Sequence, residues 1–291
     1  MTEKKLAWQS KLVLLAVLPF AGTEVMLDCD WWALHAAPVA IWTIGLSTLL
    51  GLVVWKLRAA TPAAALTGAL ITASLMFSTA VAPYEPWHTA LIPVLAVSVL
   101  AFAVTRAGRR QKERLGTAEG RIGRSASQVA ANLGMAALVS SNPVQSWLMD
   151  SHWLPHRTTT QMMLFALVVA ALAEAAADTA SSEIGQVIGG RPRLITTLKV
   201  VDHGRDGAIS PTGTLAGLIA AAMVAYAGMW ALGGGWSLFW ISVAGAIFGL
   251  FFDSLLGATL EEHGWLNNDA VNFLSTASAA GFALVLMCVM H

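Results

Sequence analysis

Apolar residues run along this chain in blocks of roughly 20, the length at which an α-helix crosses the hydrocarbon core of a bilayer, instead of alternating with polar ones as in a half-buried strand. The pattern predicts nine spans, at 12–27, 38–55, 62–82, 88–105, 127–149, 161–187, 211–232, 236–258 and 270–290. Short polar links and Pro or Gly breaks separate them. Tryptophans gather in 28–32, 83–87 and 146–153, where amphipathic rings settle at a membrane–water interface. The expected fold is all-α, a polytopic membrane helical bundle of about nine transmembrane helices. There is no convincing internal repeat and no polar stretch long enough for a soluble domain. The expected division is N-terminal membrane helices in 1–60 and a membrane domain carrying the polar motifs in 61–291.

Composition sharpens this reading. Of 291 residues, 56% are hydrophobic and only 12% charged, so the bilayer is the solvent. The formal net charge is zero, which leaves no basic field to attract nucleic acid. Cys29 and Cys288 lack any second ligand at zinc-binding spacing. Lys4, Lys5 and Lys11 precede the first apolar run without a clear cleavage site before Asp28 and Asp30, which reads as a retained signal-anchor. Lys and Arg cluster at 106–124 (Arg106, Arg109, Arg110, Lys112, Arg114, Arg121, Arg124) and at 191–205 (Arg191, Arg193, Lys199, Arg205). Two spans separate the clusters, so both face one side, and the positive-inside rule makes that side the cytoplasm of a bacterial inner membrane or its equivalent. Most of the 106–124 charge reads as solvated and lipid-headgroup-binding. The N-terminus is then inside and His291 outside.

Ionisable residues inside spans are costly, so their spacing is informative. At the end of the sixth span, Glu174, Asp178 and Ser182 repeat at i, i+4 and share one helical face, while Glu183 points away from it. They lie at the negative end of the helix dipole, which favours a cation. Asp253, Gly257 and Glu261 repeat likewise at the end of the eighth span. The ninth opens with Asn267, Asn268 and Asp269 at its cap, and Asn272 looks inward one turn later. Gln128 and Asn132 share a face where the basic loop re-enters the membrane. Between spans six and seven, Arg191, Arg193, Thr196, Thr197 and Lys199 precede Ser210-Pro211, an N-cap with proline at the first helical position; Ser210, Thr212 and Thr214 place hydroxyls around a helix N-terminus suited to phosphate. Gly245 and Gly249 form a small-xxx-small helix contact.

Five ordered motifs, 177–185, 192–199, 210–214, 253–261 and 268–272, together with 128–132, closely resemble the integral membrane family catalogued as domain of unknown function 92, which includes plant phytyl phosphate kinase and transmembrane protein 19. The resemblance covers about residues 60–290. It implies a lipid-phosphate kinase: a polyprenyl monophosphate acceptor, phosphorylated to the diphosphate by a nucleoside triphosphate, with CTP favoured, among membrane lipids. On that reading Asp178, Asp253 and Lys199 are catalytic. Asp178, Asp253, Asp269, Glu183 and Glu261 are expected to hold Mg²⁺. Arg191, Arg193, Thr196, Thr197, Ser210, Thr212, Thr214, Gln128, Asn132, Asn268 and Asn272 are expected to bind substrate or nucleotide phosphates. The pattern is also similar to dolichol kinase and phosphatidate cytidylyltransferase, but Gly213 stands where the cytidylyltransferase Ser-Pro-x-Lys-Thr pattern has lysine, and 206–210 departs from the Gly-Gly-Val-Ser form expected of the family. A transporter of a phosphorylated lipid or anion is the other alternative; it calls for polar positions through both membrane halves.

Overall fold

The computed structural model describes residues 2–116, 123–151 and 161–290, with side chains from residue 6 and, after the second gap, from residue 163. Arg121, Trp153 and His291, and most of the 150–160 connection, lie outside them. The helices are α1 (Thr2–His35), α2 (Ala37–Lys56), α3 (Pro62–Ser78), α4 (Leu91–Arg106), α5 (Arg109–Leu115), α6 (Ala126–Ser140), α7 (Asn142–Asp150), α8 (Gln161–Ile188), α9 (Pro211–Leu232), α10 (Gly235–Leu256) and α11 (Asn268–Met290). A π-helical turn, Gly257–Glu261, continues α10. Between α8 and α9, β1 (Arg193–Leu194) pairs antiparallel with β2 (Ala208–Ile209). The expectation of an all-α membrane bundle holds, this two-residue ladder aside.

Among the described residues, six helices are long and apolar enough to cross a bilayer: α1, α2, α8, α9, α10 with its π turn, and α11. A seventh span is reached if α4 and α5, bent by 62°, count as one. Length alone therefore does not establish the expected nine. The third block shortens to the 17 residues of α3, because proline starts it and Thr79 ends it. The fifth splits at Ser141, whose extended backbone (ψ 147°) precedes an Asn-Pro start, into helices of 15 and 9 residues. α3 and α6 still run side by side from the basic end to a Ser78–Ser140 hydroxyl contact of 2.9 Å.

α8 is the axis of the bundle and packs against α4, α6, α9, α10 and α11. A helix apolar on most of its faces belongs inside, and the Ala-rich stretch from 166 to 180 lets five neighbours approach closely around Glu174 and Asp178. The outer surface is the converse. Leu34, Leu66, Trp240 and Val289 are all exposed, as lipid-facing side chains are. Both basic segments come to one end of the bundle: Arg106 donates to Leu57 O, and Gln111 to Val187 O at the end of α8. The N-terminal end of α1 arrives at the same end, where Gln9 donates to Trp265 O. One expectation about the 106–124 loop fails at Lys112. Rather than solvated, its ammonium is 1% exposed, donates to Val104 O and Thr105 O, and pairs with Glu183. The bend between α4 and α5 turns this side chain back under the carbonyls that end α4.

Candidate functional site

At the basic end, α8, α10 and α11 deliver carboxylates into the interior. Glu174 is 1% exposed, and Asp178 lies one turn further along α8, close enough for their charges to interact. Asp253 of α10 faces both of them and Glu261. Glu261 also senses Asp206, Asp178 and Asp269. The packing contact Gly245–Gly249 has a second effect: a Cβ at Gly249 would stand 2.5 Å from Glu174 Cγ, so glycine there makes room for the carboxylate.

Beside the carboxylates opens a polar cavity of about 160 Å³. Asp178, Thr179, Ser182, Glu183 and Gln186 of α8 line one wall; Gln128 and Asn132 of α6 and Asn268 and Asn272 of α11 line the others, with Arg124 among them. Glu183 does not point elsewhere, as a straight helical face requires, but is drawn to this wall by Lys112. Gln128 is also half of a capping box with Ser125 at the start of α6. Four buried acceptor oxygens, Glu174 Oε1, Asp253 Oδ2, Asn272 Oδ1 and Gln186 Oε1, have no donor. Buried polar atoms are almost always satisfied, and an all-oxygen set lacking donors suits a hard cation. Among the described residues, no three His, Cys, Asp or Glu side chains converge into a ready-made metal cage.

Arg124 is the cation that sequence reasoning left in the solvated loop. Its backbone bridges the α2–α3 turn: the Arg124 N–H donates to Ala59 O and accepts in return at its carbonyl from the Thr61 N–H, both at 3.0 Å. Gly123, at φ +81°, allows this; a Cβ there would lie 2.6 Å from Ala59 C. The guanidinium reaches Thr179 Oγ1 at 3.3 Å and lies near Asp178. The available signal was its position beside Gly123, immediately before the Gln128–Asn132 face.

The remaining candidates are not brought to this cavity. Arg191, Arg193, Thr196, Thr197 and Lys199 are exposed on the β1–β2 segment. Arg193 donates to Leu198 O at 2.8 Å, and the Lys199 N–H to Thr197 Oγ1. Ser210 caps α9 by accepting from the Gly213 N–H, and Thr212 donates to Ile188 O. The Thr214 N–H already serves Ser210 O within the helix. This N-terminus is packed hard onto α8: a Cβ at Gly213 would fall 2.6 Å from Ser181 O, so no lysine fits there. The missing lysine of the cytidylyltransferase pattern is thus a packing requirement. Asp269 is 9% exposed and accepts from Ser10 Oγ at 2.6 Å, while Asn267, not Asp269 or Asn268, caps α11. Asp206 stands at the edge, where burial first and the Glu262 charge second raise its pKa; Glu262 is itself paired with Arg205.

These features define a multi-pass α-helical membrane protein with a carboxylate cluster and a polar cavity at its basic end. The chain belongs to the family described as Integral membrane protein DUF92, which matches residues 45–280. Similar proteins include an uncharacterized membrane protein of Methanocaldococcus jannaschii, 39% identical over 42% of this chain and 51% of its own, and another of Synechocystis, 33% identical over 68% and 73%. The chloroplastic protein VTE6 of Arabidopsis thaliana is 29% identical over 66% of this chain and 57% of its own. The match thus spans about half the length of the archaeal and plant relatives. No solved structure matches the chain.

Proposed function

We propose that this protein is a polyprenyl monophosphate kinase that transfers a phosphoryl group from a nucleoside triphosphate, CTP in preference, to an isoprenoid monophosphate at the cytoplasmic face of the membrane. The observation that carries the reading is a polar cavity that Arg124, its guanidinium on Thr179, lines together with Asp178 and Glu183, with the donor-less oxygens of Glu174 and Asp253 buried nearby. The resemblance to plant phytyl phosphate kinase, and the similarity to VTE6, support the acceptor class.

The donor set fits Mg²⁺, an ion that keeps several waters and takes one or two carboxylates together with substrate phosphates in place of a full protein cage. Asp178 and Asp253 would hold it, with Glu174 and Glu261 beside them; once bound, it supplies charge neutralisation on the transferred phosphates. Arg124 holds the acceptor phosphate, and Gln128, Asn132, Asn268 and Asn272 offer amide donors to phosphate oxygens or the nucleotide. An oxygen of the acceptor phosphate attacks the γ-phosphorus, the bond from that phosphorus to the β-phosphate oxygen breaks, and the nucleoside diphosphate leaves. The acceptor oxygen is already anionic near pH 7, so no general base is needed, and rate comes from positioning and charge stabilisation.

The test is incubation of the purified protein with Mg²⁺, labelled CTP or ATP and a panel of prenyl monophosphates. Labelled prenyl diphosphate is the expected product. No transfer from any nucleotide, with movement of prenyl phosphate across vesicles instead, sinks the kinase and leaves the transporter.

A further inference from the structure

A second cavity, of about 140 Å³, opens between α2, α3, α4 and α6. Its walls are apolar and small: Gly51 and Val54 of α2, Gly68 of α3, Val94 and Ala101 of α4 and Leu133 of α6. Along α4 the lining runs from Arg106 inward to Val94, a depth of about 18 Å at helical rise. Arg58, Arg106, Arg109, Lys112 and Arg124 line the mouth, Arg109 being paired with Glu113 and Lys112 with Glu183, and among the described residues no Asp or Glu lines it. Thr105 Oγ1, on the same wall, is buried without a partner. The groove adjoins the polar cavity: Arg124 and Asn132 line both.

We infer that this groove is the tail site for the acceptor, holding one linear isoprenoid chain whose monophosphate lies against the basic mouth at Arg124. The assignment rests on the kinase reading for its acceptor class and adds where the chain lies and what measures its length. An anionic head and an apolar tail are both required: the mouth carries cations with no carboxylate among the lining residues, and the walls beyond it are hydrocarbon. The shared wall of Arg124 and Asn132 puts the head beside the carboxylates of the first cavity, which a general lipid-filled crevice does not need. Gly68 is the natural gauge. A Cβ there meets only Val129 Cγ1, at 3.6 Å, so a larger side chain projects into the groove without striking backbone.

Binding is measured on the full-length protein in nanodiscs with two probes, geranylgeranyl monophosphate and dimethylallyl monophosphate, and with phosphatidic acid as competitor. The wild type is expected to bind the long probe more tightly. Gly68→Phe on one wall and Ala101→Phe on the other each lower the long-to-short affinity ratio at least tenfold, whereas Arg58→Gln weakens both probes and leaves the ratio in place. Thermal unfolding checks each variant, and Gly68→Val serves if the phenylalanine does not fold. An unchanged ratio in the wall variants, or displacement of the long probe by equimolar phosphatidic acid, assigns the groove to bulk lipid and overturns the proposal. Because binding is read, absence of phosphoryl transfer would remove the kinase reading while leaving the tail site to stand or fall on the ratio.

Discussion

Two neighbouring stretches of chain meet opposite fates at the same end of the bundle. Residues 174–186 of α8 run from buried to half-buried, Ser182 apart, and carry acceptor oxygens with no donor; the polar residues of 191–199, a few positions on, are exposed and satisfy one another through Arg193 to Leu198 O and Lys199 to Thr197. Both belong to motifs of comparable look in the sequence. What separates them is whether neighbouring helices close over them. The same contrast divides the arginines: Arg124 is fixed by its own backbone against the α2–α3 turn and aims inward, while Arg193 folds back on its own loop. Both backbones are held, that of Arg193 in the β1–β2 ladder, so what makes a positive charge part of a site is the burial of its side chain among acceptors, because an exposed pair contributes little.

The largest expected effect is on the buried side. Asp178→Asn or Asp253→Asn lowers turnover of prenyl phosphate by about 10³-fold or more, the several kcal/mol that a lost carboxylate ligand represents. Thermal midpoints hold or rise, because one of several crowded negative charges has gone. A fall in midpoint with turnover intact would make these carboxylates structural and break the contrast.

Next in size is the ion pair beneath the site. Lys112→Met strands Glu183 and costs about 3 kcal/mol of stability, the lower end for a broken buried pair because Glu183 is 16% exposed. Denaturant unfolding in detergent measures it, and adding Glu183→Gln should recover most of the loss. No recovery in the double variant would mean that Lys112 acts through the Val104 and Thr105 carbonyls alone.

The arginine comparison is tested directly by kinetics. Arg124→Ala should raise the KM for prenyl phosphate by a factor of tens, as loss of a charge-assisted phosphate contact does, whereas Arg193→Ala and Lys199→Ala change it by less than about threefold. Equal effects from all three would bring the β1–β2 segment back into the site.

The smallest effect concerns pH. Asp206 keeps its proton to higher pH in the folded chain than its ordinary 3.8, through burial and then Glu262. Below that value the folded and unfolded chains are equally protonated and the residue is neutral to stability. As pH rises through the window above it, the unfolded chain ionises first, so stability falls and a constant penalty remains once the folded carboxyl has ionised. Asp206→Asn should therefore unfold at a slightly higher temperature than wild type at pH 7 and at the same temperature below about pH 4. A gap that persists at low pH would point to packing at Gly207 in place of charge.

The bundle was legible because block length and the clustering of Lys and Arg are one-dimensional properties; the agreement of Lys4, Lys56 and the two loops on one side matches the shared basic end. The division at Ser141 and the shortness of α3 were harder to read, since Ser140-Ser141-Asn142-Pro143 is a short polar break between apolar stretches and the residues after Thr79 stay apolar as far as Ala82. In the sequence, Asp178, Asp253, Gln128 and Asn132 stand out by their i, i+4 faces, and Asn268 and Asn272 by their places at and one turn after the start of α11. Glu174 was visible in the same way but has the look of a salt-bridge partner until Gly249 is seen to vacate space for it. Arg124 and Lys112 were hidden among seven like charges. Nothing in spacing tells which of them turns inward; the clamp at Ala59 and the bend after Arg106 do.

α1 ends before the stretch over which the family is recognised begins, at residue 45, yet it grips α11 where that helix opens onto the cavity. The Asn267 N–H donates to Gln9, its amide donates to Leu6 O and Ser10 Oγ, and Ser10 holds Asp269. The foremost helix is therefore a handle on Asn268 and Asn272. Relatives whose leading helices have diverged would inherit the same carboxylates with a differently tethered α11 wall, so variation outside the shared region becomes a way to retune the cavity while leaving every residue inside it untouched.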